Sequence, residues 1–162
     1  MPVGSYSVLL NNKIKRFSKS IIVDPDKSIS IRSFLISSIS NDVSKIDNVL
    51  NSEDVISCIS CLRSLGIKIK KIRSKKYLVY GKGIGSLFAK KNKILNCGNS
   101  GTLARLLIGI LATTPNTKVI IKGDKSLNKR NMFKLIKVIN EFGAEFIPKN
   151  KYHFPLKLIS SE

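Results

Sequence analysis

The sequence predicts an α/β fold, with α and β segments in an α+β succession, made of two copies of one βαβαββ unit. Three observations support this. Helical apolar stripes alternate along the chain with short strand-like runs. "LRSLGIKI" at Leu62–Ile69 and "INEFGAEF" at Ile139–Phe146 repeat one device, a helix stopped by glycine and followed by a strand, about 77 residues apart. Arg32 and Arg105 each stand early in the first helix of their half, about 73 residues apart.

Each element has a local reason. Tyr6–Leu10 and Ser20–Val23 read as short strands. The turn Asp24-Pro25-Asp26 then feeds a helix from about Ser28 to Ile39. A strand is expected near Ile46–Leu50. The next helix opens at Asn51-Ser52-Glu53-Asp54, with a cap residue and acidic groups facing the positive end of the helix dipole. Its apolar stripe is Val55, Ile56, Ile59, Leu62 and Leu65, and Gly66 ends it. Strands Ile67–Ile72 and Tyr77–Tyr80 lead into Gly81-Lys82-Gly83-Ile84-Gly85.

The second half repeats this order. A strand around Ile94–Leu95 enters the loop "NCGNSG", and a helix follows from about Thr102 to Ala112. Then come a strand at Lys118–Ile121, a loop at Gly123-Asp124-Lys125-Ser126 and a helix near Met132–Phe142 that Gly143 stops. Strands Ala144–Ile147 and Phe154–Ile159 close the unit. The expected division is an N-terminal strand segment over 1–20, a first unit over 21–85 and a second over 86–162.

At 43% hydrophobic the chain has enough apolar residues for an ordinary core. No run approaches the roughly 18–20 apolar residues of a membrane span, and "MPVGSYSVLLNNK" lacks the order of a signal peptide, so the sequence reads as cytoplasmic. Three cysteines, an odd number without a secretory signal, argue against a disulfide framework. Cys58 and Cys61 form a CxxC inside a helical pattern, and the only histidine, His153, is remote. Buried free thiols are expected there rather than a metal site.

The formal charge of +19 raises nucleic-acid binding as a possibility, since basic patches bind phosphate backbones. The distribution speaks against it. The cations are mostly lysines spread end to end among Ile, Asn and Ser, as in the drift of an AT-rich genome. There is no Trp and little aromatic interleaving to stack bases, so a solvated lysine surface is expected. Only six of the 29 basic residues are arginines: Arg16, Arg32, Arg63, Arg73, Arg105 and Arg130. A guanidinium kept against that bias points to bidentate recognition of carboxylate or phosphate.

Three of the six arginines fall in loops that feed helices. These are Asp26-Lys27-Ser28-Ile29-Ser30-Ile31-Arg32, "GNSGTLAR" at Gly98–Arg105, and "GDKSLNKR" at Gly123–Arg130. If the two units are related by a pseudo-rotation, equivalent helix starts converge. Helix N-termini with nearby cations then form an anion site suited to phosphate and carboxylate groups.

The three segments resemble a known family. "DKSISIR" is similar to the K-S-x-S-x-R segment of 3-phosphoshikimate 1-carboxyvinyltransferase, or EPSP synthase. "GNSGTLAR" is similar to its N-[AS]-G-T-x-x-R loop, and "GDKSLNKR" to its G-D-x-S-L-x-x-R-P segment, in the family's order and spacing. The resemblance implies repeated βαβαββ units of an inside-out barrel. It also implies a reaction in which the enolpyruvyl group of phosphoenolpyruvate passes to the 5-hydroxyl of shikimate 3-phosphate. The methylene carbon is protonated, the hydroxyl adds to give a tetrahedral intermediate, and phosphate is eliminated. No metal or organic cofactor is implied.

By motif position, Lys27 touches phosphoenolpyruvate near the reacting centre and also serves shikimate 3-phosphate, which Ser28 and Arg32 hold. Gly101 leaves room for phosphoenolpyruvate, and Arg130 clamps its charged groups. Asn99, Thr102 and Arg105 are second-tier candidates, and Ser100 is less informative still. Because Gly101 is unsubstituted, the resemblance implies glyphosate sensitivity. The family's full-length members are expected to be monomers with small-molecule partners only, without membrane or nucleic acid.

The sequence departs from the family in places. Asn131 stands where a proline often follows the arginine, which is expected to loosen the start of the next helix. Leu106 follows Arg105 where some members have proline. The match covers roughly the first 40% of such a protein. The expectation is therefore an incomplete, inactive fragment lacking a third unit, a Ser-Gln substrate segment and a second domain with acidic catalytic residues. The segment 1–20 would belong to that second domain.

Two other readings compete. The sister enolpyruvyl transferase acting on UDP-N-acetylglucosamine resembles K-N after its first turn, so Lys27-Ser28 with Arg32 argues against it. A basic RNA-binding protein on a related scaffold would account for the charge but leaves the three motifs unexplained.

Overall fold

Among the described residues, regular structure begins where Asp26 offers a carboxylate to a free helix N–H. Its Oδ1 accepts the Ile29 N–H at 2.7 Å and caps α1 (Lys27–Ser38). The computed structural model of the chain describes residues 7–9, 11, 16, 18, 20, 21 and 23–161. After α1 come β1 (Val43–Ile46), α2 (Glu53–Ser64), β2 (Lys68–Arg73) and β3 (Lys76–Tyr80). The second half holds β4 (Lys93–Asn96), α3 (Gly101–Ala112), β5 (Lys118–Lys122), α4 (Lys125–Lys129), α5 (Phe133–Glu141), β6 (Glu145–Ile147) and β7 (Leu156–Ile159).

The strands form two sheets, ordered β1-β3-β2 and β4-β5-β7-β6. The first is antiparallel throughout. In the second, β4 and β5 are parallel and the other pairs antiparallel. The order β5-β7-β6 repeats β1-β3-β2, so the mixed α/β fold is a repeated one, with β4 as an extra parallel strand. Its counterpart was expected at Ser20–Val23. There Ser20, Ile21 and Val23 carry no regular structure, and Ile22 lies outside the described residues. Likewise Ser7–Leu9 form no strand, while Tyr6 and Leu10 lie outside the described residues.

Burial repeats too. Ser30, Ile31, Phe34, Leu35 and Ser38 are buried on α1; Leu103, Ala104, Leu107, Ile108 and Leu111 are buried on α3 at the same spacing. Arg32 and Arg105 are exposed in both helices. Each second helix stops at a glycine with positive φ, 84° at Gly66 and 87° at Gly143, a conformation that costs glycine little. Helix α1 packs on both α2 and α3, and the Phe34 ring meets Tyr77 of β3 edge-to-face at 5.2 Å.

Two expected elements are displaced. The strand predicted at Ile46–Leu50 runs instead over Val43–Ile46, because the chain turns at Asn48, whose φ is 57°. Beyond the turn the backbone donors are used elsewhere. The Val49 N–H donates to the Lys75 carbonyl at 3.0 Å and the Leu50 N–H to Ser30 Oγ at 3.0 Å. Val49 is therefore a buried loop residue rather than a strand residue. The predicted loop at Gly123–Ser126 is cut short by α4, because Asp124 Oδ1 accepts the Leu127 N–H at 2.7 Å and caps a single turn. Asn131, expected to loosen the start of α5, accepts the Phe133 N–H at 2.7 Å and so satisfies a donor of its first turn.

The three cysteines are free and buried. The Cys61 thiol donates to the Asn96 carbonyl at 3.4 Å. Burial pushes the Cys58 thiol up, and Cys97 is held up by its hydrogen bond to Cys61 and by burial. They pack as small apolar groups.

Candidate active site

The loop Asn96–Ser100 is fixed from both sides. The Cys97 N–H donates to the Lys122 carbonyl at 2.8 Å, and the Asp124 N–H donates to the Gly98 carbonyl at 2.8 Å. These two bonds continue the parallel β4–β5 pairing past the strand ends and bring the "NCGNSG" and "GDKSLNKR" loops together. Ser100 caps α3, its Oγ accepting the Leu103 N–H at 3.3 Å. Gly101 is the first residue of that helix.

Around Gly101 stand two guanidinium groups. A Cβ on Gly101 would lie 2.9 Å from Arg130 Nη1 and 3.2 Å from Arg105 Nη1. Arg130 Nη2 also donates to Asn99 Oδ1 at 2.6 Å. Asn99, Gly101, Arg105 and Arg130 are thus one cluster at the N-terminus of a twelve-residue helix. Both arginines are exposed, and among the described residues neither has a carboxylate partner. Two unneutralised guanidiniums packed over a glycine at the positive end of a helix form a donor-rich cluster suited to an anion. Thr102 is half-buried in the first turn of α3 beside them.

Lys27 is held elsewhere. Its Nζ lies 3.0 Å from Asp54 Oδ2 in the first turn of α2, with Lys27 49% and Asp54 16% exposed. One turn further along α2, Ser57 Oγ lies 2.8 Å from where a Cβ on Gly98 would stand. Helix α2 therefore touches the start of α1 with Asp54 and the second loop with Ser57. It is the strut between the two halves of the site. Ser28 follows Lys27 in the first turn of α1, half-buried. Arg32 borders a shallow depression of about 460 Å³ with Ile29, Ile36, Lys45 and Asp47, which includes none of the Gly101 cluster. The structure thus gathers four of the eight predicted residues directly and joins Lys27 to them through α2.

Asp54 and Ser57 were not among the predicted site residues. Asp54 reads in the sequence as an ordinary first-turn acid that complements the helix dipole, and its contact with Lys27 spans 27 positions. The only signal available was that a carboxylate stood near a retained lysine in the same unit. Asp47, the other paired acid, lies at the β1 turn. Its carboxyl is held below the usual range by the hydrogen bond from Lys76, aided by Lys45.

Comparison with known proteins points to one family. The family profile described as "EPSP synthase (3-phosphoshikimate 1-carboxyvinyltransferase)" matches residues 11–161. A 3-phosphoshikimate 1-carboxyvinyltransferase of Caldicellulosiruptor bescii is 42% identical over 149 residues, covering 91% of this chain and 34% of that relative. One from Desulforamulus reducens is 37% identical over 143 residues, covering 88% and 33%. An EPSP synthase structure from Acinetobacter baumannii superposes with a TM-score of 0.78 at 29% identity, covering 88% of this chain and 32% of that one. The chain spans about a third of the length of the curated relatives it matches.

Proposed function

Because the chain belongs to the EPSP synthase family and spans about a third of its relatives' length, we propose that it carries one part of the site that transfers the enolpyruvyl group of phosphoenolpyruvate to shikimate 3-phosphate. The observation that carries this reading is the meeting of Arg130 and Arg105 over Gly101, the first residue of α3. A ligand with a phosphate and a carboxylate a few ångströms apart matches two guanidiniums beside a helix start. In this reading Arg130 and Arg105 grip the anionic groups of phosphoenolpyruvate, and Asn99 keeps Arg130 oriented through its 2.6 Å hydrogen bond. Lys27, with Ser28 and Arg32, faces shikimate 3-phosphate from α1, and its ammonium steadies negative charge that builds at the reacting centre.

None of the site residues gathered here is a free carboxylate, since Asp54 is paired with Lys27. Proton transfer to the methylene carbon and from the attacking hydroxyl needs an acid and a base. These are assigned to the part of the site that lies beyond this third of the family's length. No metal or organic cofactor enters the proposal. A cytoplasmic location and a monomeric full-length enzyme complete it. Among the described residues no helix is long and apolar enough to cross a membrane.

The test is phosphate release from phosphoenolpyruvate plus shikimate 3-phosphate, using this chain alone and then mixed with the remaining two thirds of a relative. Release in the mixture alone is expected. No release from a well-folded mixture would sink the reading and bring the basic surface forward, with salt-dependent RNA affinity as the next measurement.

Asp54→Asn probes the strut. Its partner Lys27 is half exposed, so the thermal midpoint of the chain should fall by no more than about 2–4 °C. Turnover of the mixture should fall about ten- to a hundredfold, because the ammonium loses its fixed position. Unchanged turnover would show that Lys27 finds its place without the carboxylate.

A further inference from the structure

Arg63 is a guanidinium kept in a lysine-rich chain, yet it lies outside the three motif-bearing segments. Its Nη2 donates to the Ile69 carbonyl at 2.8 Å, which ties the end of α2 to β2. The side chain lines a groove of about 480 Å³ between α2 and the β2–β3 hairpin. Ser60 and Ser64, one turn apart on α2, share the groove with Lys71 of β2 and its cross-strand partner Tyr77 of β3. Ile56 and Ile59 give it an apolar wall. None of these residues belongs to the Gly101 cluster. Among the described residues, neither Arg63 nor Lys71 pairs with an acid, and no carboxylate lines the groove. Ser30, Ser33 and Ser38 of α1 donate their hydroxyls to carbonyls one turn back. On α2 and its cap the side-chain hydrogen bonds are those of Ser52, Cys58, Cys61 and Arg63, so the Ser60 and Ser64 hydroxyls stay open to a ligand.

The repeat supplies a comparison within the molecule. A groove of about 340 Å³ lies at the same place on α5, and a tyrosine, Tyr152, lines it too. About 77 residues on from Ile56, Arg63 and Ser64 stand Phe133, Asn140 and Glu141. Phe133 meets Tyr152 edge-to-face at 4.9 Å, and Glu141 matches the charge of Lys137, the one cation in that lining. One architecture thus carries a charge-balanced groove crossed by an aromatic pair in the second unit. In the first unit it carries two cations, two hydroxyls and no acid.

We propose that the groove between α2 and the β2–β3 hairpin is a second anion site, for a small phosphomonoester with an apolar body. Such a group carries about 1.5 to 2 negative charges at neutral pH and three acceptor oxygens. Arg63 and Lys71 balance that charge, and the Ser60 and Ser64 hydroxyls add donors. The bond to Ile69 uses one N–H of Arg63, so it holds the planar fork in place and leaves the other donors for the ligand. Ile56, Ile59 and the Tyr77 ring receive the apolar body. The site stands independently of the catalytic reading above.

The test titrates the chain with phenyl phosphate and follows its backbone amides by proton–nitrogen NMR. The Ser60, Ser64 and Lys71 amides are expected to move together, with a dissociation constant on the order of 1 mM. Ser64→Glu, which copies the acid of the α5 groove, and Lys71→Ala should each weaken this binding by about tenfold or more. Neither side chain is buried, so both variants should keep the wild-type spectrum elsewhere. Arg130→Gln should leave the groove's affinity unchanged, because phosphate held at the Gly101 cluster moves other amides. The Lys137, Asn140 and Glu141 amides should stay still throughout. No movement in the groove at about ten times the expected constant overturns the proposal. So does equal movement in the α5 groove, or wild-type affinity in either Ser64→Glu or Lys71→Ala, since phosphate would then be drawn only to a basic chain at large. Inorganic phosphate should bind more weakly than phenyl phosphate, and equal affinity overturns the place given to the apolar body.

Discussion

Lys27→Met, tested in the mixture of this chain with the remaining two thirds of a relative, is expected to lower phosphate release by about a hundredfold or more while the chain keeps its fold. The argument has two parts. Lys27 is half exposed and makes one ion pair, to Asp54, so its removal costs the fold about 1 kcal/mol or less. Catalysis should suffer far more, because one preorganised charge that faces developing negative charge contributes on the order of 10²–10³ in rate. Methionine keeps an unbranched side chain one atom shorter and removes the ammonium, with its charge and its donors. Circular dichroism should match wild type and the thermal midpoint should fall by no more than about 2–4 °C while turnover falls. Normal turnover would remove Lys27 from the reacting centre and leave it as the partner of Asp54.

Phe34→Ala should have the largest effect on stability. The ring is fully buried between α1 and β3 and stands edge-to-face on Tyr77 at 5.2 Å. Deleting it removes the apolar burial, leaves a cavity and forfeits the aromatic contact, about 3–5 kcal/mol together. A domain of ordinary stability has about 5–15 kcal/mol in all. With a urea dependence of about 1–3 kcal/mol per molar, the unfolding midpoint should fall by more than about 1 M, or the variant should not fold. Ile36→Ala on the exposed face of the same helix serves as the control and should change stability by about 0.5 kcal/mol or less. An unchanged midpoint for Phe34→Ala would mean that the two layers do not meet through this ring.

Much of this fold was legible because its helices are specified locally. Asp26, Ser52 and Ser100 each cap a helix with their own side chain, and each lies within three residues of the N–H it satisfies. Gly66 and Gly143 mark the stops in the same local way. The misplaced strand shows the limit. Ile46, Val49 and Leu50 look like one apolar run, yet the last two give their N–H groups to Lys75 and Ser30, partners that no window around residue 50 contains.

The candidate site divides along the same line. Gly101, Arg105 and Arg130 were readable because they sit in motif-bearing loops. Their mutual contact depends on the parallel β4–β5 pairing, which puts the two loop mouths side by side. Asp54 and Ser57 escaped notice because their roles arise only when α2 packs between the units. Arg32 was read correctly as early in its helix, but the depression it borders holds none of the Gly101 cluster.

The strut position of α2 also decides what the two halves of the site share. Lys27 meets Asp54 within one unit, and Asn99 meets Arg130 within the other. The contacts of Ser57 with Gly98 and of Cys61 with Asn96 join the units. Each half of the anion site is therefore held within its own unit, and only α2 aligns them. A chain in which α2 were not seated against β4 would hold both sets of cations without a shared centre.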